Sequence, residues 1–483
     1  MRDDPLTAAI VSGGPAVCVW AWLGVSALNT ITSLCLAEMA SCMPAAIGSL
    51  YVFTARLAPC AYMQHMSSMS AGGYDAVLDP GYDLTPAQLF GCYCAVLLSW
   101  LVLVSAPLRV TSVFITAASL WQVLGGGALF ASLLALTPRR HSIGYVLAGR
   151  ISVPRASRVR SGPYNVLEGL LFPITAQTGY ETVLYFVEEM FVHRRRRRGR
   201  LRAAAASGGG LAASCALTLL FLLLLLAAAP SLQYAVDSRN ETRGQDPMAQ
   251  VVYDILKAAY GSGRGAPGLI AVLAVGVYGT GLVVAAGTAR KLWAMAADGF
   301  VPNWVGGGTT TASGGGAASI NGPARAAALV TAAALAPGLL LLLPARRSRG
   351  GGAATGDTAL EGALSFVAVA VNGSYLLPVF LRLMPGSAGE GYDAGARRVG
   401  LGGGFTLGRA SRPLFAVAAV WTCVSTLLPL LQPAWPPRPA TANWAPVSSA
   451  LLAAAVALSW FAPRVGARSW FRGLASVGGV SFC

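Results

Sequence analysis

Nine stretches of this chain contain no charged residue: 5–37, 84–108, 110–138, 203–236, 265–289, 326–345, 362–381, 413–437 and 439–463. Each is as long as the roughly 20 apolar residues that a helix needs to cross a bilayer. A tenth stretch, 161–187, is interrupted by Glu168 and Glu181. An eleventh, 57–74, is uncharged but polar, and would make a poor span on its own. Of the 483 residues 55% are hydrophobic and 11% charged, against roughly 25% charged in soluble domains. Folding alone cannot hide that much apolar surface from water. The solvent is therefore lipid, and the expected class is an all-α, multi-pass integral membrane protein.

The formal net charge of +16 comes almost wholly from arginine, with lysine only at Lys257 and Lys291. A basic balance can signal nucleic acid. Here the arginines lie between apolar stretches, so loops facing anionic lipid explain them and no nucleic-acid partner is expected. The arginine run 194–198 anchors its loop on the cytoplasmic side. The sequon Asn240-Glu241-Thr242 then falls in a loop on the outer side, where a glycan acceptor would be consistent. Nine cysteines form no CxxC pair, and His65, His141 and His193 are far apart. A metal site is not expected, nor any cofactor. No nucleophile–base pair, HExxH or phosphate loop supports an enzyme. The stretch "GRGAPG" (263–268) matches a dinucleotide fingerprint in form, but it follows no strand and opens a span. The glycine-rich stretches 306–319 and 348–356 read as linkers. The whole chain, 1–483, reads as one transmembrane domain, with a membrane core over 13–463 and a short cytoplasmic tail over 464–483. No cleavable signal peptide is evident.

Several segments resemble a known family. "GGPAVCVWAWLGVSALNTITSLCLAEMASCMPAAIGSLYVFTARLAP" (13–59) is similar to the second helix and following loop of eukaryotic amino acid permeases. "TGYETVLYFVEEM" (178–190) is similar to their sixth helix, and "GTARKLWAMAADGFVP" (287–302) to the segment after their eighth. "SYLLPVFLRL" (374–383) resembles the end of helix 10, and "LGRASRPLFAVAAVW" (407–421) the start of helix 11. In this order they resemble the amino acid–polyamine–organocation superfamily. The pattern is most like the fungal GABA permease and choline transporter group and the plant bidirectional amino acid transporters.

The resemblance implies a fold of two five-helix inverted repeats, with helices 1 and 6 broken at mid-membrane where substrate sits. Only twelve residues precede Gly13, so the first helix is expected to be missing or cut to a stub. The expected fold is thus an N-terminally truncated five-plus-five repeat with ten or eleven transmembrane helices. The implied function is secondary active transport of amino acids or related amines (GABA, choline, polyamine) by alternating access. Proton coupling or exchange is the implied mode, and the plasma membrane or an organelle membrane the implied location. The other reading is a permease-like scaffold or sensor that does not transport.

The stretch 173–181 has the composition of a helix break. Pro173 removes a helix hydrogen bond and Gly179 permits unusual backbone angles. Thr175, Gln177 and Thr178 are polar at membrane depth. A simple kink with ordinary packing is the alternative. With the resemblance, Gln177, Thr178, Gly179, Tyr180 and Glu181 become candidate substrate-binding residues. Tyr180 would lie over the substrate as a gate and meet an ammonium by cation–π attraction. Glu181 either pairs with an ammonium or proton, or caps the half-helix that follows. Tyr278 of the glycine-rich helix 8 is a further candidate, although that glycine face also suits close packing. Glu188 and Glu189, at the inner boundary, are candidate gate residues, with Arg56, Arg290 and Arg409 as basic partners; a solvated helix end is the alternative. Glu38 occupies a similar inner position, and Glu168 is expected near the outer end, solvated.

Overall fold

The computed structural model describes residues 5–42, 86–137, 139–151, 162–180, 208–237, 239–242, 246–297, 305, 322–339, 355–383, 405–432 and 442–461. Among them the regular structure is helical throughout, with no strand. In hydrocarbon every backbone polar group must be paired within the protein, and a helix does this within one segment. All nine charge-free stretches carry a helix.

The first stretch divides at Gly14 (φ 76°) into α1 (Pro5–Gly13) and α2 (Pro15–Cys42). Then follow α3 (Pro86–Ser105), α4 (Leu108–Leu136) and the short α5 (Ile143–Ala148). The interrupted stretch gives α6 (Gly162–Gly169) and α7 (Leu171–Ala176). After them come α8 (Gly210–Ala228), a single turn α9 (Leu232–Ala235) and α10 (Pro247–Tyr260). The remaining helices are α11 (Ala266–Ala297), α12 (Gly322–Gly338), α13 (Thr355–Leu383), α14 (Ser411–Leu427) and α15 (Ala445–Phe461). Among the described residues five stretches are long and apolar enough to cross a membrane: Pro15–Met39, Arg109–Leu136, Gly210–Ala228, Ala266–Trp293 and Gly408–Leu430. The segment 57–74 lies outside the described residues.

α2 is the hub. Its first half packs with α1, α5 and α8, and its last half against α14. There Cys35, Leu36 and Met39 meet Val371, Tyr375 and Val379 of α13 and Phe415 of α14 in a buried cluster. Glu38 is buried in the same region, and the Ser411 hydroxyl donates to its Oε2 at 2.9 Å. The carboxylate therefore sits at the N-terminus of α14, where free N–H groups favour an anion. A second layer joins α3, α11 and α12 through Tyr93, Trp100, Leu282, Ala286 and Ala334. The glycine face of α11 serves this close approach, as one of the sequence readings held. A side chain at Gly279 would run into Ala118 of α4, and one at Gly281 into Trp100 of α3.

α10 was not anticipated. It is amphipathic, starts at Asp246, whose carboxylate accepts from the Ala249 N–H at 2.9 Å, and ends at Gly261. Its polar side is latched to the preceding loop. Glu241 accepts from Lys257 Nζ (3.0 Å), Gln250 Nε2 (2.8 Å) and Tyr234 Oη (3.1 Å). Gln250 Nε2 also donates to Asp254 Oδ1 at 2.8 Å, and Gln250 Oε1 accepts from the Thr242 N–H at 3.1 Å. The sequon belongs to this latch. Asn240 is 5% exposed, and its Nδ2 donates to the carbonyls of Tyr234 and Ala235 at 2.8 and 3.0 Å. Both amide hydrogens are thereby used inside the fold. The glycan-acceptor reading is corrected: Asn240 closes a loop, and it gives no support to the orientation.

Candidate functional site

Two separate features shape the interrupted stretch. Pro173 bends it. A proline ring clashes with the carbonyl four residues back, which is Gly169, and the chain steps from α6 to α7 at Leu170. The break proper comes later. α7 ends at Ala176, residues 177–179 turn, and Gly179 has φ 96°. A Cβ is rarely tolerated there, so glycine is the residue that lets the chain leave the helix. Threonines tie up the helix end. Thr178 Oγ1 donates to the Ile174 carbonyl at 2.7 Å, and Thr175 Oγ1 to the Leu171 carbonyl at 2.8 Å. These bonds matter because no water is at hand to pair freed carbonyls.

Gln177 does not face open space. Its Oε1 accepts from Asn29 Nδ2 at 3.1 Å, and its Nε2 donates to Ser26 Oγ at 2.8 Å. Asn29 Oδ1 in turn accepts from Trp421 Nε1 at 2.8 Å. Asn29, Gln177 and Trp421 are 5–7% exposed. One polar chain therefore links α14, α2 and the break. The sequence reading named Gln177 but missed Ser26, Asn29 and Trp421. The signal was present in "SALNTITS" (26–33), a polar run in the middle of a charge-free span.

Tyr180 is half-buried, with its ring centroid 5.0 Å from that of Tyr375 in α13. It thus meets the α2–α13–α14 cluster just beyond the break. Thr178 and Gly179 are half-buried beside it. Tyr278 lies elsewhere: its hydroxyl shares a 2.8 Å hydrogen bond with Ser99 Oγ, and its ring stands 5.7 Å from Trp100, both on α3. The structure brings Gln177, Thr178, Gly179 and Tyr180 together and puts Tyr278 in another helix interface. Glu181, Glu188 and Glu189 lie outside the described residues, as does Arg56. Arg409 is exposed in the turn Gly408–Ala410, and Arg290 is half-buried on α11. Glu168 is buried, 7% exposed, where a solvated position was expected. The reason is local: its neighbour Gly169 lets α6 press so close to Val17 that an added Cβ would meet it at 2.5 Å. α1 packs along this same face, against both α6 and α7.

Helices long and apolar enough to cross a membrane, beside a stretch bent and then broken over polar residues, define an all-α membrane protein. The family follows from comparison. A model described as amino acid permease matches residues 5–456, and the chain belongs to that family. It is 24% identical to "Amino-acid permease BAT1 homolog" of Oryza sativa subsp. japonica, over 95% of this chain and 86% of that one. It is 22% identical to "Amino-acid permease BAT1" of Arabidopsis thaliana, over 95% and 87%. Over a shorter stretch, 30% of this chain and 36% of the other, it is 26% identical to a Macrophomina phaseolina (strain MS6) protein named as an amino acid/polyamine transporter.

Proposed function

We propose that this permease is a secondary active transporter of amino acids or related amines, working by alternating access around the break at 177–180. The observation that carries the reading is the left-handed Gly179, which ends a half-helix inside an apolar stretch. A helix end at such a break can meet a charged substrate group with its dipole, without a full buried charge. Thr178 offers a hydroxyl oxygen that can still accept from an ammonium, and half-buried Tyr180, set against Tyr375, offers an aromatic face to it. Glu181 follows in sequence, either as an ammonium or proton partner or as the cap of the next half-helix. Glu188 and Glu189 act as a cytoplasmic gate, and proton coupling or exchange drives the cycle at the plasma membrane. The names of the relatives, amino-acid permease and amino acid/polyamine transporter, support the substrate class.

The test is uptake of labelled GABA, arginine and choline in a permease-deficient host. Saturable uptake of at least one is expected; uptake of none of them, from protein that reaches the membrane, would overturn the proposal. Glu181→Gln separates the roles of the acid. As a cap, an amide oxygen still accepts, and uptake stays within about three-fold. Abolished uptake in a normally expressed variant would assign Glu181 a charge role.

A further inference from the structure

Trp421 has no place in the proposed transport cycle, yet its indole terminates the polar chain that reaches the break. An indole N–H is a donor only. Its bond to Asn29 Oδ1 fixes which end of that amide faces α14. The Nδ2 end must then face Gln177, so it is the Oε1 of Gln177 that accepts. That in turn directs Gln177 Nε2 to Ser26 Oγ on α2. One donor-only group thus sets the direction of two amides in series. Without it, each amide could turn over, and the chain would have no preferred sense.

The packing supports the same coupling. Trp421 shares a buried cluster with Val25 of α2 and Ile174 of α7, so the indole lies in the same apolar core as the half-helix whose end it orients. In this dry interior a half-satisfied polar chain is worse than none. Gln177 cannot rotate towards the open side of the break without losing both of its partners on α2.

We infer that Trp421 is a positioning residue: acting through Asn29, it holds Gln177 against α2 and so sets the orientation of the break at 177–180. For uptake, the inference rests on the transport reading above. For the geometry of the break, it stands independently.

The decisive measurement uses the full-length chain in lipid nanodiscs. Backbone hydrogen exchange over 171–180 is compared in wild type, Trp421→Phe, Gln177→Leu and the double variant. Each single variant should raise exchange there several-fold, and the double no further than the larger single effect. Exchange in α10 should stay unchanged, which separates a local release from general unfolding. Unchanged exchange at 171–180 in Trp421→Phe, or effects that multiply in the double variant, would overturn the coupling. If Trp421→Phe fails to fold, Asn29→Leu, which matches asparagine in size and cuts the same chain, must give the same result. In uptake of whichever labelled amine the wild type carries, Trp421→Phe should raise the half-saturation concentration roughly five-fold, as expected for one buried hydrogen bond. The maximal rate should stay within two-fold, whereas a merely structural role would lower the amount of protein and so the maximal rate alone. A wild type that carries nothing removes the transport proposal, and the exchange result then decides this one.

Discussion

At Gly179 the backbone sits at φ 96°, where side chains are rarely found and the strain is about 1–3 kcal/mol. Gly179→Ala should therefore distort the turn, and uptake should fall about ten-fold if that strain is spent on the site. Gly91 supplies the comparison: it lies in α3 with nothing near the position of an added Cβ. Gly91→Ala should leave uptake unchanged. Equal loss in the two variants would show that expression, not the break, is being measured. At this scale the sequence showed residue types but not their partners. Pro173 and Gly179 were legible as breakers; that one bends at Leu170 and the other opens the chain six residues beyond α7's proline was not. Gln177 was legible as polar, but its partners lie 148 and 151 positions away, and no local pattern reports such a pairing. Asn240 makes the opposite point. Its sequon is complete, yet the amide nitrogen a glycan would need is already donated twice. Treatment with an endoglycosidase should not change the mobility of the protein.

Elements were more legible than contacts. The nine charge-free stretches each became helix because lipid leaves the backbone no other local solution. The miss was α10. Its signals were all present: an Asp-Pro start, apolar residues at 251, 252, 255 and 256, and a glycine stop. They were overlooked beside the far stronger apolar runs. The latch on α10 gives a dependence on pH. Burial alone would raise the Glu241 carboxyl, but hydrogen bonds from Lys257, the backbone, Gln250 and Tyr234 outweigh it and hold it at about 2, below the ordinary 4.5. Its contribution to stability is present above pH 4.5 and is lost as pH falls towards 2. Asp254 is shifted the other way, from 3.8 to about 6, chiefly by burial, with the Gln250 hydrogen bond and Lys257 opposing and the charge of Glu241 adding. There the folded chain keeps a proton that the unfolded chain has released, so stability is lost as pH rises from about 4 to about 6. Asp254→Asn should remove that second decline. Thermal melts from pH 4 to 7 should fall in the wild type and fall less in the variant. A parallel decline in both would show that Asp254 is not the group responsible. Asp246→Ala, which removes the N-cap bond, should cost about 1 kcal/mol, read as faster exchange in the first turn of α10.

For the molecule as a whole, the apolar side chains on its outside say which solvent it is built for. Val102 of α3, Leu124 of α4, Val420 of α14 and Leu451 and Leu458 of α15 are each about two-thirds exposed or more, at 67–71%. A soluble protein rarely leaves such residues in contiguous faces, and here they recur on four helices, three of which, α3, α4 and α14, carry the bundle's core on their other sides. The polar groups run inward instead: Asn29, Gln177 and Glu38 are nearly covered, each bonded across helices. This inversion yields a prediction that does not depend on the substrate. At Leu124, 69% exposed, nothing packs tightly enough to notice a smaller side chain, so Leu124→Ala should insert, fold and accumulate as the wild type does. Leu124→Arg places a cation against hydrocarbon in the middle of α4, at a cost of about 3 kcal/mol for insertion, and membrane accumulation should fall several-fold. At Gly281, on the protein-facing side of α11, the order reverses. Gly281→Ala adds only a methyl group but drives it into Trp100, so it should lower the melting temperature while insertion proceeds. Fractionation separates the two defects: lost insertion for Leu124→Arg, lost stability after insertion for Gly281→Ala. If Leu124→Arg accumulated normally in the membrane, α4 could not face lipid on that side.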